Sequence, residues 1–371
     1  MSSSASNGKG PFRSVVIFGG AGFIGCNWAH WLLENSAAKV HIFDNLSRAG
    51  VRKNLDSLQQ AAGDSGRLQI TIGDVRNQQL VESVVRHATE IYHFAAQVAV
   101  TTSVSDPRFD FEVNVGGTIN VLEAARKFGK RPFILFTSTN KVYGELSPAR
   151  VVSESKRYRY EDSAGISESQ PLDFHSPYGC SKGAADQYVH DYSRIYGLPT
   201  VVFRMSCIAG PRQFGTEDQG WVAHFIYSAM SGRPVTIFGD GRQVRDVLCV
   251  NDLMLAFNAA RITPAAHGEV FNVGGGTKNA TSLLELAEAV EHVTGNRLQY
   301  SFDAARPGDQ LIYITDHAKL TSLTGWQPRI NVQQTLELIH AWRKRFPAAE
   351  MREPAELSSA TTLGATATEA A

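Results

Sequence analysis

The chain has 371 residues, enough for one large or two medium domains with a buried core. Its 36 Lys and Arg balance its 36 Asp and Glu, which leaves no basic footprint for nucleic acid and no polybasic patch for a membrane surface. Hydrophobic residues make up 43%, an ordinary share for a globular protein, and no run of about 20 apolar residues offers a membrane span. The cysteines Cys26, Cys180, Cys207 and Cys249 show neither metal-ligand spacing nor a disulfide framework, and the histidines fall in no ligand pattern. The expectations are a cytoplasmic protein without a metal.

Met1–Pro11 is Ser- and Gly-rich with no apolar core, so residues 1–12 read as a flexible leader rather than a signal peptide. The first half then alternates β-rich runs with helical periodicity. Strands are expected at Ser14–Phe18, Lys39–Phe43, Leu68–Ile72, Glu90–Phe94, Pro132–Thr137 and Pro199–Arg204. Helices are expected at Phe23–Glu34, Asn77–Arg86, Val113–Phe128 and Tyr178–Tyr196. Such alternation implies a Rossmann-type, doubly wound parallel sheet of the α/β class over 13–205, buried on both faces. The charged stretch 145–175 reads as a loop inserted near the site. Beyond Ser206 the pattern loosens into a smaller α/β lobe for substrate, 206–346, interleaved with the sheet. Its helices are Trp221–Met230, Asn251–Arg261, Ser282–Thr294 and Val332–Arg345, and its short strands are Val235–Phe238, Glu269–Val273 and Gln299–Phe302. Residues 347–371, rich in Ala, Thr, Ser and Glu, read as a disordered tail.

Two patterns carry the chemistry. Gly19-Gly20-Ala21-Gly22-Phe23-Ile24-Gly25 lies between a strand and a helix, where glycines admit a pyrophosphate to the backbone and the helix N-terminus favours its charge. Asp44 ends the second strand, where a carboxylate bonds ribose hydroxyls and repels a 2′-phosphate, so NAD is expected over NADP, although Arg48 lies close by. Asp74 and Val75 follow the third strand, at the adenine edge; Phe94, Ala95, Ala96 and Gln97 follow the fourth, where the dinucleotide would pass. The second pattern is Tyr178 and Lys182, four apart on one helix face. A lysine ammonium beside a phenol favours the phenolate, so Tyr178 is expected to titrate below its usual value of about 10 and to serve as a base.

These residues resemble the extended short-chain dehydrogenase/reductases over roughly 13–346. The resemblance implies a Ser/Thr–Tyr–Lys catalytic group, here Thr139, Tyr178 and Lys182, with Lys182 also on the nicotinamide ribose and Thr139 orienting a sugar hydroxyl. It adds Asn45, Asn114 and Thr137 to the cofactor contacts, and pairing of chains into a dimer or tetramer through the helices near 115–128 and 178–196. Longer runs, Thr137-Ser138-Thr139-Asn140-Lys141-Val142-Tyr143-Gly144, Ser176-Pro177-Tyr178-Gly179-Cys180-Ser181-Lys182 and Asp218-Gln219-Gly220-Trp221-Val222, are similar to those of the CDP-tyvelose (CDP-paratose) 2-epimerases. Met205-Ser206-Cys207-Ile208-Ala209-Gly210 departs from relatives that carry an aromatic before the glycine. Related 4,6-dehydratases carry Asp-Glu after the Thr, as acid and base for water elimination; Asn140 and Lys141 stand there instead.

The activity this implies is epimerisation at C2 of a nucleotide-diphosphate sugar, by transient oxidation with a tightly bound NAD and re-reduction on the other face. The alternatives are epimerisation at C4 or on a non-deoxy GDP-, UDP- or CDP-hexose, or a related reductase or decarboxylase. Arg245 and then Arg306 are expected on the diphosphate, since guanidinium binds two oxygens at once; Asn140, Lys141 and Gln219 are expected near the sugar.

Overall fold

The computed structural model describes residues 13–128, 131–146, 150–161, 165–306 and 309–346. The leader and tail lie outside these residues. Seven parallel strands form the central sheet: β1 (Ser14–Phe18), β2 (Lys39–Asp44), β3 (Leu68–Ile72), β4 (Glu90–His93), β5 (Phe133–Thr139), β6 (Thr200–Met205) and β7 (Val270–Val273). Their order across the sheet is β7-β6-β5-β4-β1-β2-β3. The order reverses between β1 and β4, and the crevice at that switch point is where open α/β sheets bind ligands.

The two-residue period of a strand explains why these runs are apolar throughout. Val15 and Ile17 enter the core on one face; Val16 and Phe18 enter the core on the other. Helices Phe23–Asn35 and Val250–Ile262 pack on the first face; Gly117–Lys127 and Ser176–Tyr196 pack on the second. The smaller lobe has its own core, where Val222, Ile226, Leu286, Val290, Leu336 and Ile339 meet.

Several expectations change on folding. Strand β7, assigned from sequence to the smaller lobe, hydrogen-bonds to β6 and closes the edge of the main sheet. The expected helix over Val113–Phe128 is a π-helical turn, Glu112–Gly116, followed by an α-helix over Gly117–Lys127. Helix Val51–Ala62 and the short helices Val100–Ser105 and Pro107–Phe111 are additions. The charged stretch 145–175 is more than a loop. It holds an antiparallel pair, Val151–Ser153 with Tyr158–Tyr160, fastened to the lobe by Tyr158–Asp240 (2.7 Å), Arg157–Glu285 (2.6 Å) and Lys156–Glu288 (2.6 Å). Its charges meet partners on another element, which a local reading cannot supply. Among the described residues no helix is long and apolar enough to cross a membrane.

Candidate active site

A cavity of ≈ 710 Å³ runs along the carboxyl ends of β1–β6, a volume suited to a small-molecule site. At one end lies the glycine turn. Gly19 holds φ +74°, and a Cβ there would stand 2.7 Å from the Ala95 amide nitrogen, so only glycine fits. Helix Phe23–Asn35 starts behind the turn with Gly22 as N-cap and no side chain closing its first amides, which leaves them for an anion. Gly22, Phe23, Ile24 and Gly25 all line the cavity. Asp44 stands at the end of β2; its Oδ2 accepts from the Ala21 amide (3.0 Å) and its Oδ1 from the Leu46 amide (2.8 Å). Burial pushes its carboxyl up, and those backbone donors work against the rise. A turn that only glycine fits, free helix amides and a carboxylate at the next strand end suit a dinucleotide. Asn45, Asp74 and Val75 line the same end, with Asp74 gripped by Arg76 at 2.9 Å. Phe94, Ala95, Ala96 and Gln97 form the middle wall.

Asn114 stands behind that wall rather than in it. Its amide donates to Gln97 O (3.0 Å), Asp110 Oδ1 (3.1 Å) and Ser181 Oγ (2.9 Å), and its Oδ1 accepts from the Gln97 amide (2.9 Å). It shapes the wall from within the core.

At the other end, Thr137 and Thr139 finish β5, and helix Ser176–Tyr196 brings Tyr178 and Lys182 to the same place. Pro177 sits in the helix's first turn, where its missing N–H has no intrahelical partner to lose. The Tyr178 hydroxyl is hydrogen-bonded to Thr139. Lys182 Nζ donates to Thr137 O at 2.7 Å and lies 4.1 Å above the Phe136 ring. The expected fall in the Tyr178 titration is reversed: burial pushes it up to about 12, against the opposing pull of Thr139 and Arg48. The ammonium of Lys182 is turned to a backbone carbonyl and a ring, so it does not offset the desolvation of the phenol. Burial also brings Lys182 down to about 7.

The expected substrate residues divide. Asn140 and Gln219 line the cavity; Lys141, Arg245 and Arg306 stand outside its wall. Lys141 Nζ (3.1 Å) and an Arg245 guanidinium nitrogen (2.8 Å) converge on Asp309 Oδ1. Asn140 Nδ2 donates to Gln310 Oε1 at 3.1 Å, so both residues after Thr139 tether the 309–310 segment. Arg306 pairs with Asp218 (3.2 Å) and lies 4.0 Å over the Phe238 ring. Ser138, Arg212, Gln213 and Phe214 line the cavity without having been singled out from sequence. Arg48, noted only as a charge near Asp44, bonds Gln219 across the cavity.

Residues 16–339 match the GDP-mannose 4,6 dehydratase family, which covers most of the chain. The chain belongs to this family of extended short-chain dehydrogenase/reductases. It is 41% identical over 337 residues to the CDP-paratose 2-epimerase of Salmonella typhi, a span of 88% of this chain and 98% of that enzyme. Among solved structures it resembles the UDP-glucuronic acid 4-epimerase of Bacillus cereus in complex with UDP-glucuronic acid and NAD, with TM-score 0.77, 27% identity, and 90% and 99% of the two chains covered. It also resembles DesIV, a dTDP-glucose 4,6-dehydratase from Streptomyces venezuelae with NAD bound, with TM-score 0.78, 28% identity, and 90% and 97% covered. Members of this family are enzymes, and they share the parallel sheet described above.

Proposed function

We propose that this protein is an NAD-dependent nucleotide-sugar epimerase of the CDP-paratose 2-epimerase type. One observation carries the reading: among the described residues lining the cavity, the carboxylates are Asp44 and Asp74, both at the glycine-turn end. Beside Tyr178 stand Asn140 and Thr139, and neither is a carboxylic acid. Elimination of water from a sugar needs an acid and a base in addition to the redox pair, and the wall beside Tyr178 offers no carboxyl group for either role. The identity to a 2-epimerase across nearly its whole length supports the same reading.

The glycine turn and the open helix amides would hold the pyrophosphate of NAD and Asp44 its ribose, and the cofactor would supply reversible hydride chemistry at a sugar carbon. Tyr178 Oη takes the proton of the sugar hydroxyl as the carbon is oxidised and gives it back to the ketone oxygen on reduction. The rise of its titration to about 12 favours the second role; the Arg48 cation and the Thr139 hydrogen bond favour the first. Thr139, bonded to Tyr178, orients the hydroxyl. In a 3-deoxy sugar a ketone at C4 acidifies C3 and C5 but not C2, so inversion at C2 runs through oxidation of that carbon itself. Arg245 and Arg306 bind the diphosphate once released from Asp309 and Asp218. Pairing of two chains through helices Gly117–Lys127 and Ser176–Tyr196 belongs to the same proposal.

The fold shared with a 4-epimerase favours inversion at C4 as a second reading. NMR of the C2 and C4 sugar protons, after incubation with CDP-, GDP- and UDP-sugars in parallel, separates the two. The expected result is a product of unchanged mass that forms without added NAD. Product in proportion to added NAD sinks the epimerase reading. Tyr178→Phe is expected to lower kcat by about 10²–10⁴-fold with the circular dichroism spectrum unchanged; near-normal turnover removes Tyr178 from the mechanism.

A further inference from the structure

Behind the catalytic wall lies a carboxylate that the mechanism above does not use. Asp110 is fully buried, at 0% exposure, on the short helix Pro107–Phe111. Its Oδ2 accepts from Ser181 Oγ at 2.5 Å, and its Oδ1 accepts from Gln97 Nε2 (3.0 Å) and Asn114 Nδ2 (3.1 Å). It forms no ion pair among the described residues. Burial pushes its carboxyl up from the usual value, while the hydrogen bonds from Ser181 and Gln97 and the charge of Lys182 pull it back down. Ser181 precedes Lys182 on the catalytic helix, and Gln97 is part of the cavity wall. The three bonds therefore fix Asp110 between the catalytic helix and the loop after β4.

We propose that Asp110 is a positioning residue that holds Lys182 in its cationic form inside the buried site, acting through its charge and through its hydrogen bond to Ser181. The proposal rests on the reading of Tyr178 and Lys182 as the proton-transfer pair. Burial of Lys182 opposes its charge and brings it to about 7, while Asp186 and then, to a smaller extent, Asp110 push the other way. Asp186 is already committed to Arg204, whose guanidinium takes both its oxygens at 2.8 and 2.9 Å. Asp110 has no such competing cation.

The other groups around the pair are accounted for. His93 on β4 is neutral, brought down to about 3 by burial and by Lys182 itself. Arg48 faces Tyr178 from the loop after β2 and is bonded to Gln219. Lys141 is directed at Asp309, and Glu112 is held by Arg76 and Arg108. Asp110 acts on Tyr178 as well, raising it, so the one carboxylate favours the protonated form of both catalytic groups.

Asp110→Asn removes the charge and keeps the shape. The new amide can donate to Ser181 Oγ, whose own proton turns to Tyr178 O, 3.2 Å away, while the amide oxygen still accepts from Gln97 and Asn114. The alkaline limb of kcat/KM against pH should then move down by about one pH unit, the low end of the effect of a nearby opposite charge. The ratio of activity at pH 6.5 to that at pH 8.5 should rise about threefold over the wild type. Asp110→Glu, which restores the charge, should recover part of the alkaline activity. Lysine side-chain NMR on isotope-labelled full-length protein reads the same effect without substrate. Lys182→Arg assigns the signal, and its titration midpoint should fall in Asp110→Asn. An unchanged midpoint, or a loss of activity equal at every pH, overturns the proposal and leaves Asp110 a packing residue. Failure of the wild type to epimerise any nucleotide sugar would count against the proposed function, and the lysine titration would still decide the role of Asp110.

Discussion

Gly25→Ala tests the dinucleotide end of the site, because its cost can be worked out from neighbours that cannot move aside. A Cβ at Gly25 would collide with Gly19 O and stand 2.6 Å from Gly20 Cα and 3.0 Å from Gly19 C. All three are backbone atoms of the turn, so no rotamer relieves them. The turn is pinned from the opposite side by Gly19 N to Phe43 O (2.8 Å) and Ala21 N to Asp44 Oδ2 (3.0 Å). To admit the methyl, the turn must lift off these partners, and overpacking of this kind costs about 1–3 kcal/mol. Alanine regains roughly 0.5–1 kcal/mol over glycine inside a helix, so the net loss is about 0–2.5 kcal/mol, toward the upper end because the colliding atoms are backbone. The same shift moves the amides that face the pyrophosphate, and each 1.4 kcal/mol lost there weakens binding about tenfold. The assay is calorimetric titration of NAD-free protein with NAD, alongside a thermal melt. Gly22→Ala is the control. Its Cβ would meet only Gly19 O, at 3.2 Å, so it should disturb packing less. Wild-type affinity and melting temperature in Gly25→Ala would refute the account of the turn.

Two other perturbations probe the scaffold. His30 is buried against Ser57 Oγ (2.9 Å), and burial brings it down to about 4 from 6.5. Its folded form prefers to be neutral, so the stability it contributes is complete above pH 6.5 and is lost as pH falls toward 4. Urea titrations between pH 6.5 and 5, where most carboxylates stay ionised, should show a shallower pH slope in His30→Asn than in the wild type; equal slopes would contradict this. Arg204→Met strips Asp186 of its bidentate partner and leaves a charge at 0% exposure, which should cost about 3–5 kcal/mol in urea denaturation. A loss under 1 kcal/mol would contradict this account of the buried ion pair.

The chain's local chemistry already determines much of this protein. Apolar runs such as Val15-Val16-Ile17-Phe18 can only be strands buried on both faces, which calls for a parallel sheet under two helical layers. The glycine turn is legible because φ +74° at Gly19 is a local demand on residue type. Tyr178 and Lys182 share a helix face by spacing alone. Only the tertiary structure decided the rest. Strand β7 reaches the main sheet because its hydrogen-bonding edge fits β6, a long-range pairing with no local signature. Lys141 and Arg245, set apart in sequence, meet at Asp309, and Asn140 meets Gln310. Most of all, the spacing of Tyr178 and Lys182 says nothing about where the ammonium points or how dry the phenol becomes. The ammonium's direction depends on Thr137 and Phe136, brought in from another element, and the dryness of the phenol on its burial in the folded site. Electrostatic effects follow distance through the folded protein and the solvent each group loses, and neither quantity is written along the chain.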